Sequence, residues 1–290
     1  MQFVVVARKK ELVKKTKFLK QKAEQIMASN NSHRETDEAA RATFKNSLKT
    51  KNLLQSPHEE AIMTQIEQNL SSKDNEESLD DSPFFPKKLV SSKDGIMIGT
   101  CTGIVQTFPE DLLAYMFLTN THQARQAHIA LTGPDSSKYP NKTIHAINDH
   151  HKINYSCRKL PPPLKPRDWL TRHIFHQPIA NTIKYFATSI HDDDPDLPPS
   201  FSKTSLTHII RGEYSVIHEY KRLPHNQTKF TVWLKVDIKG SVPKKIANMG
   251  MKGLLDIVYE AYVYFQRDEE IDKLEVSLIE RWQIINNIPS

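Results

Sequence analysis

The chain has 290 residues, a formal net charge of +6 and a pI near 9.1, with 17 prolines, two cysteines and eight glycines. Glycine is scarce against an average of about 7%, and it forms neither G-x-G-x-x-G nor G-x-x-x-x-G-K, so the usual backbone cradles for dinucleotides and nucleotide phosphates are absent. Cys101 and Cys157 form no C-x-x-C pair, no run approaches the roughly 18–20 apolar residues of a membrane span, and Met1–Ala7 is too short for a secretory signal. The expectation is a soluble, cytoplasmic protein with no disulfide framework, metal or cofactor.

Charge is uneven along the chain. Residues 1–54 carry 13 Lys/Arg against 5 Asp/Glu, whereas residues 55–83 carry 1 against 8. Residues 5–29 read as a helix with Leu12, Leu19, Ala23 and Ile26 on one stripe and lysines over much of the rest. This basic helix admits three readings: a solvated face in a bundle with residues 36–70, docking on an anionic membrane surface, or nucleic-acid binding. It lacks the aromatic-plus-basic interleaving of single-strand binders, so nucleic acid is set aside. A second helix is predicted over about 36–54. A third runs from Pro57 to Leu70, with Ser56 as N-cap, Pro57 at the first helical position and Glu59 completing a capping box. Ser71 to Ser82 is polar and acidic and reads as a linker.

From about residue 85 the texture changes. Ile96–Thr107 is strand-like, with Gly99 and Gly103 among β-branched residues, and Pro109–Leu118 reads as a helix whose Glu110 and Asp111 suit its positive end. A loop with Gly133 and Pro134 follows. Strands are predicted at Thr143–Asn148, Lys152–Arg158, Asp168–His176, Thr182–Ile190, Leu206–Arg222 and Thr228–Ile238, separated by turn-forming residues. Pro243 opens a long helix with a wide apolar face, followed by a polar helical extension to about Asn287. The order is an α+β plan, a curved antiparallel sheet folded around one long C-terminal helix.

Three motifs, in order and at matching spacings, resemble the START lipid-transfer domain family. They are Lys165-Pro166-Arg167-Asp168-Trp169, Ile209-Ile210-Arg211-Gly212-Glu213, and Val236-Asp237-Ile238-Lys239-Gly240-Ser241-Val242-Pro243. Thr188-Ser189-Ile190-His191 is similar to the family's strand end before a Pro-rich loop. The resemblance covers residues 85–268 and implies a helix-grip fold with an apolar tunnel for one lipid or sterol-like molecule. It divides the chain into a helical appendage (1–71), an acidic linker (72–84), the START-like domain (85–268) and a helical extension (269–290).

Period-2 alternation then gives the tunnel lining a testable form. Trp169, Thr171, His173 and Phe175 share one face of their strand; Tyr214 and Val216, with His218 beyond, share one of the next; Phe230, Val232, Leu234 and Val236 share one of the last. Large apolar groups with isolated hydrogen-bonding tips are typical of small-molecule cavities, although a filled core has the same pattern. His173 stands where the resemblance to sterol-binding members implies an Arg. Helix 243–266 is expected to gate the tunnel through Met249, Gly250, Gly253, Leu254 and Ile257, with the two glycines weakening it.

The remaining polar clusters read as structural. Arg167 with Asp168, Arg211 with Glu213, and Asp237 with Lys239 are expected to be ladder or loop pairs. The acidic run His191-Asp192-Asp193-Asp194-Pro195-Asp196 lacks a calcium-loop spacing and reads as a solvated turn. His150 and His151, adjacent on a strand, are expected to point apart. No nucleophile motif appears, so the expected activity is non-catalytic lipid binding or transfer. The alternative is a regulatory interaction module with a vestigial cavity. A cavity with convergent ionisable groups would favour an enzyme.

Overall fold

The computed structural model describes residues 36–48, 55–70, 76–78, 85–91, 96–118, 141–158, 164–198, 209–240 and 244–266. The helix expected over 5–29, the loop at Gly133 and the extension 269–290 lie outside the described residues. Helix α1 spans 36–48 and α2 spans Pro57–Leu70. The capping box forms as predicted: the Glu59 N–H donates to Ser56 Oγ at 3.2 Å, and the Ser56 N–H donates to Glu59 Oε2 at 2.8 Å.

The strands that follow are β1 (Glu76–Ser78), β2 (Lys87–Ser91), β3 (Met97–Val105), β4 (Asn141–Asn148), β5 (His151–Arg158), β6 (Arg167–Ile179), β7 (Thr182–Ser189), β8 (Ile210–Arg211), β9 (Glu213–Leu223) and β10 (Gln227–Asp237). Helix α3 (Pro109–Phe117) lies between β3 and β4, and α4 (Lys244–Leu255) and α5 (Ile257–Phe265) close the described chain. The sheet order is β1-β2-β3-β10-β9-β7-β6-β5-β4, antiparallel throughout that path, with β8 added in parallel to β6. The α+β helix-grip plan is therefore the fold.

Local details differ from the sequence reading. The acidic stretch read as a linker contains β1, which pairs with β2 through Glu77 opposite Leu89. Neither strand was expected, because three and five residues carry too little alternation to register. The single strand expected over 206–222 breaks at Gly212. The Trp169 indole lies over that residue, and a Cβ there would sit 2.6 Å from Nε1. The C-terminal helix is interrupted at Asp256, whose carboxylate pairs with Lys87 of β2. Backbone bonds from Asp256 N–H to Lys252 O (3.1 Å) and from Glu260 N–H to Asp256 O (2.8 Å) carry the axis through the break.

The two sheet faces are covered differently. On the outer face, Met63, Ile66 and Leu70 of α2 pack on Ile98, Ile174, Phe186 and Ile217, so part of the expected appendage is seated on the sheet. On the inner face, Met251 and Leu255 of α4 and Val258 and Ala261 of α5 join Cys101, Phe230, Val232 and Val236 in the main core. Gly99 and Gly103 let this helix approach β3 closely. A Cβ at Gly99 would be 2.7 Å from Met251 Sδ, and one at Gly103 would be 2.5 Å from the Phe85 ring and 2.9 Å from Val258. Leu112, Leu113 and Phe117 of α3 complete the roof.

The family-like motifs meet at one end of the sheet and act structurally. Arg211 holds Asp168 with two bonds of 2.9 and 3.0 Å and Asp192 at 3.2 Å. Arg167 is buried and donates to the carbonyls of Lys165 (2.6 Å), Ile238 (2.6 Å) and Lys239 (3.1 Å). Lys239 pairs with Asp237 at 2.7 Å and Glu213 at 3.2 Å. Together these contacts tie β6, β8 and β9 to the chain leaving β10 for α4.

Candidate functional site

The inner face brings together the strand residues singled out in the sequence. Phe175, Val216, Phe230, Val232, Leu234 and Val236 are buried in one core, with Tyr214 half-buried against it. Trp169, Thr171 and His173 are buried on the same face of β6. In the roof, Leu254 and Ile257 are half-buried against the core. Gly250 and Gly253 face outward, where an added Cβ would meet nothing within 4 Å. The Met249 side chain lies outside the described residues.

Burial organises the polar tips of this face into a chain. Thr171 Oγ1 lies 2.7 Å from His173 Nε2, and His173 Nδ1 bonds the Tyr185 hydroxyl. The Tyr185 ring leans on His218 with centroids 4.9 Å apart, and His218 Nδ1 lies 3.0 Å from the Tyr220 hydroxyl. Desolvation pushes His173 well below the ordinary histidine range and His218 down to about 3, so both rings are neutral at neutral pH. Desolvation raises Tyr185 and Tyr220 well above the ordinary phenol value.

Sequence reasoning missed two cations on this face. Lys152 of β5 stands opposite His173 of β6, and its Nζ donates to the Phe117 carbonyl while lying 4.1 Å from the centre of the Phe117 ring. Arg158 lies over the Trp169 ring at 6.0 Å. Alternation alone placed Lys152 and Arg158 on one face, but a polar strand face reads as solvated until its cover is known.

On the outer side, Glu59 is a hub. It accepts from Asn148 Nδ2 at 3.0 Å and contacts His150 Nε2 at 3.3 Å and His151 Nδ1 at 2.8 Å. Here the expectation that His150 and His151 point apart is corrected: His150 sits in the β4–β5 turn, free of strand alternation, so both rings reach Glu59. Burial alone would raise this carboxyl, but the Ser56 N–H, Asn148 and His150 hold it down to about 2. The acidic loop is held to the sheet as well as solvated, because buried Arg172 pairs with Asp194 at 2.7 Å and Asp196 at 2.6 Å. Among the described residues, no group of three or more His, Cys, Asp or Glu is placed to hold a metal ion. A separate outer groove of about 310 Å³, between α2 and the ends of β7, β9 and β10, is polar, and its Lys239, Asp237 and Glu213 are paired with one another.

No family model and no curated protein matches the chain. Solved structures do match. Human StarD13 (DLC2) lipid transfer and protein localization domain is 10% identical, with a TM-score of 0.51, over 74% of this chain and 100% of that one. Human StAR-related lipid transfer protein 5 is 16% identical, with a TM-score of 0.53, over 72% of this chain and 96% of that one. Human STARD10 is 15% identical, with a TM-score of 0.52, over 81% and 91%. The chain has a START-like fold, as the motifs implied. Among the described residues, no helix is long and apolar enough to cross a membrane.

Proposed function

We propose that this chain binds one lipid or sterol-sized amphiphile between the inner face of the sheet and the roof formed by α3, α4 and α5, without chemical conversion. The observation that carries the reading is the make-up of that face in a START-like frame. A wall of Phe230, Val232, Leu234 and Val236 faces α4 and α5, and a chain of hydrogen-bonding tips runs through Thr171, His173 and Tyr185. Convergent ionisable groups are what an enzyme would need, but both ring nitrogens of His173 are engaged, leaving it no free position for a substrate proton. Loading requires α4 and α5 to move away transiently. The basic helix expected over residues 5–29 supplies a transient contact for anionic membrane surfaces.

The test is native mass spectrometry of the purified full chain, followed by extraction and identification of what it carries. One lipid per chain is the expected result. The rival reading, an interaction module with a filled interior, draws support from the close seating of α4 and α5 on Gly99 and Gly103. It predicts no bound lipid from any source membrane, and that outcome overturns the proposal.

A further inference from the structure

Strand β5 has its apolar and polar sides in an unusual arrangement. Ile153, Tyr155 and Cys157 pack outward with Leu170 and Ile190, so Lys152 is turned to the inner face. Its side chain is buried, with the residue only 7% exposed. An ammonium has three donors, and here one is used, on the Phe117 carbonyl. No carboxylate among the described residues lies within ion-pair distance of it. Arg158, the other cation on this strand face, has Glu260 as a nearby counter-charge. The groups that flank Lys152 supply no negative charge: His173 is neutral, Tyr185 stays un-ionised, and the Phe117 ring offers only its π face. An isolated buried cation is costly to desolvate, and burial alone lowers this amine to about 7. Its surroundings fit a charged partner that arrives from outside the described chain.

We propose that Lys152 is the head-group anchor of the interior, and that the ligand is an amphiphile whose single alkyl chain ends in a singly charged oxyanion. One point charge with spare donors matches one negative charge. A doubly charged phosphate monoester would be left under-neutralised beside the neutral His173. From β5 the sheet order passes β6, β7 and β9 to β10, four strand spacings or about 19 Å across the inner face. That span lets the chain run from Lys152 toward Val232 and Leu234. The inference rests on the lipid-binding reading and adds the class of head group.

The test titrates the full chain with oleate, oleyl alcohol and oleoyl lysophosphatidylglycerol, following stoichiometric binding by calorimetry under mildly acidic conditions, where the ammonium is charged. The expected result is at least about tenfold tighter binding of an oxyanion ligand than of oleyl alcohol, with the preference reduced to within about twofold in Lys152→Met. Oleate and lysophosphatidylglycerol each carry one negative charge, and the tighter of the two distinguishes a carboxylate from a phosphodiester. Methionine keeps the unbranched apolar stem of the side chain without its ammonium, and the oleate-to-alcohol comparison in the parent needs no variant. Equal affinity for oleate, lysophosphatidylglycerol and oleyl alcohol, or a preference that survives in Lys152→Met, overturns the anchor and leaves lipid binding standing. Binding of none of the three by the parent overturns both.

Discussion

Replacing Gly103 by alanine should destabilise the protein, whereas the same change at Gly253 should stabilise it. At Gly103 the new methyl would lie 2.5 and 2.6 Å from two Phe85 ring atoms and 2.9 Å from Val258 Cγ1, distances that real Cβ atoms essentially never show. Phe85 and Val258 are both buried, so neither can swing into solvent. Overpacking of this kind costs about 1–3 kcal/mol, against about 0.5–1 kcal/mol recovered by removing a strand glycine. The net loss is about 1–2 kcal/mol, a fall in Tm of about 3–6 °C for a domain of this size. At Gly253 an added Cβ meets nothing within 4 Å. The change there tests helix propensity alone, with a gain of about 1 kcal/mol and a rise of about 2–4 °C. Thermal unfolding followed by circular dichroism, with guanidinium titrations to check that the m-value is unchanged, reads both. A Gly103→Ala protein that melts at or above the parent temperature would show that α5 is not seated closely on β3.

Glu59 ties α2 to the β4–β5 turn, and its carboxyl is held down to about 2 from 4.5. A depressed carboxyl stabilises the fold above its unfolded value and loses that contribution as pH falls through the folded one. Stability should therefore drop between about pH 4.5 and 2, and Glu59→Gln should flatten that part of the curve while losing roughly 2–3 kcal/mol at neutral pH. An unchanged acid limb in urea titrations of the variant would contradict this. The double change Gly250→Ala with Gly253→Ala stiffens α4 by about 2 kcal/mol, so lipid transfer between vesicles should slow on the order of tenfold. A parent-like transfer rate would mean that α4 does not open during exchange.

Much of the fold was legible locally. The Ser56–Glu59 capping box and Pro57 marked the start of α2 to the residue, because a cap is a contact between neighbours in sequence. Alternation grouped Trp169, Thr171, His173 and Phe175 correctly on one face. The β9–β10 turn was readable from Pro224-His225-Asn226, where His225 and Asn226 adopt φ of 59° and 57°, a region that Asn and His visit more readily than most residues. Short β1 and β2 escaped notice because their pairing, not their pattern, makes them strands.

What the sequence determined by itself was which residues share a face, since a pleated strand sends alternate side chains to opposite sides whatever surrounds it. Which face is roofed was decided only in three dimensions. Seen alone, Lys152 and Arg158 on β5 form a solvent face. In the folded chain, Ile153, Tyr155 and Cys157 find their apolar partners outside, with Leu170 and Ile190, and Lys152 is carried under Phe117 instead. Glu59, a helix cap in the sequence, gains His150 and His151 only because the β4–β5 turn returns to α2. The same holds for Gly99 and Gly103. Their scarcity-defying place in a β-branched strand was visible, but its reason lies in α4 and α5, some 150 residues later, whose side chains need the room that a missing Cβ leaves.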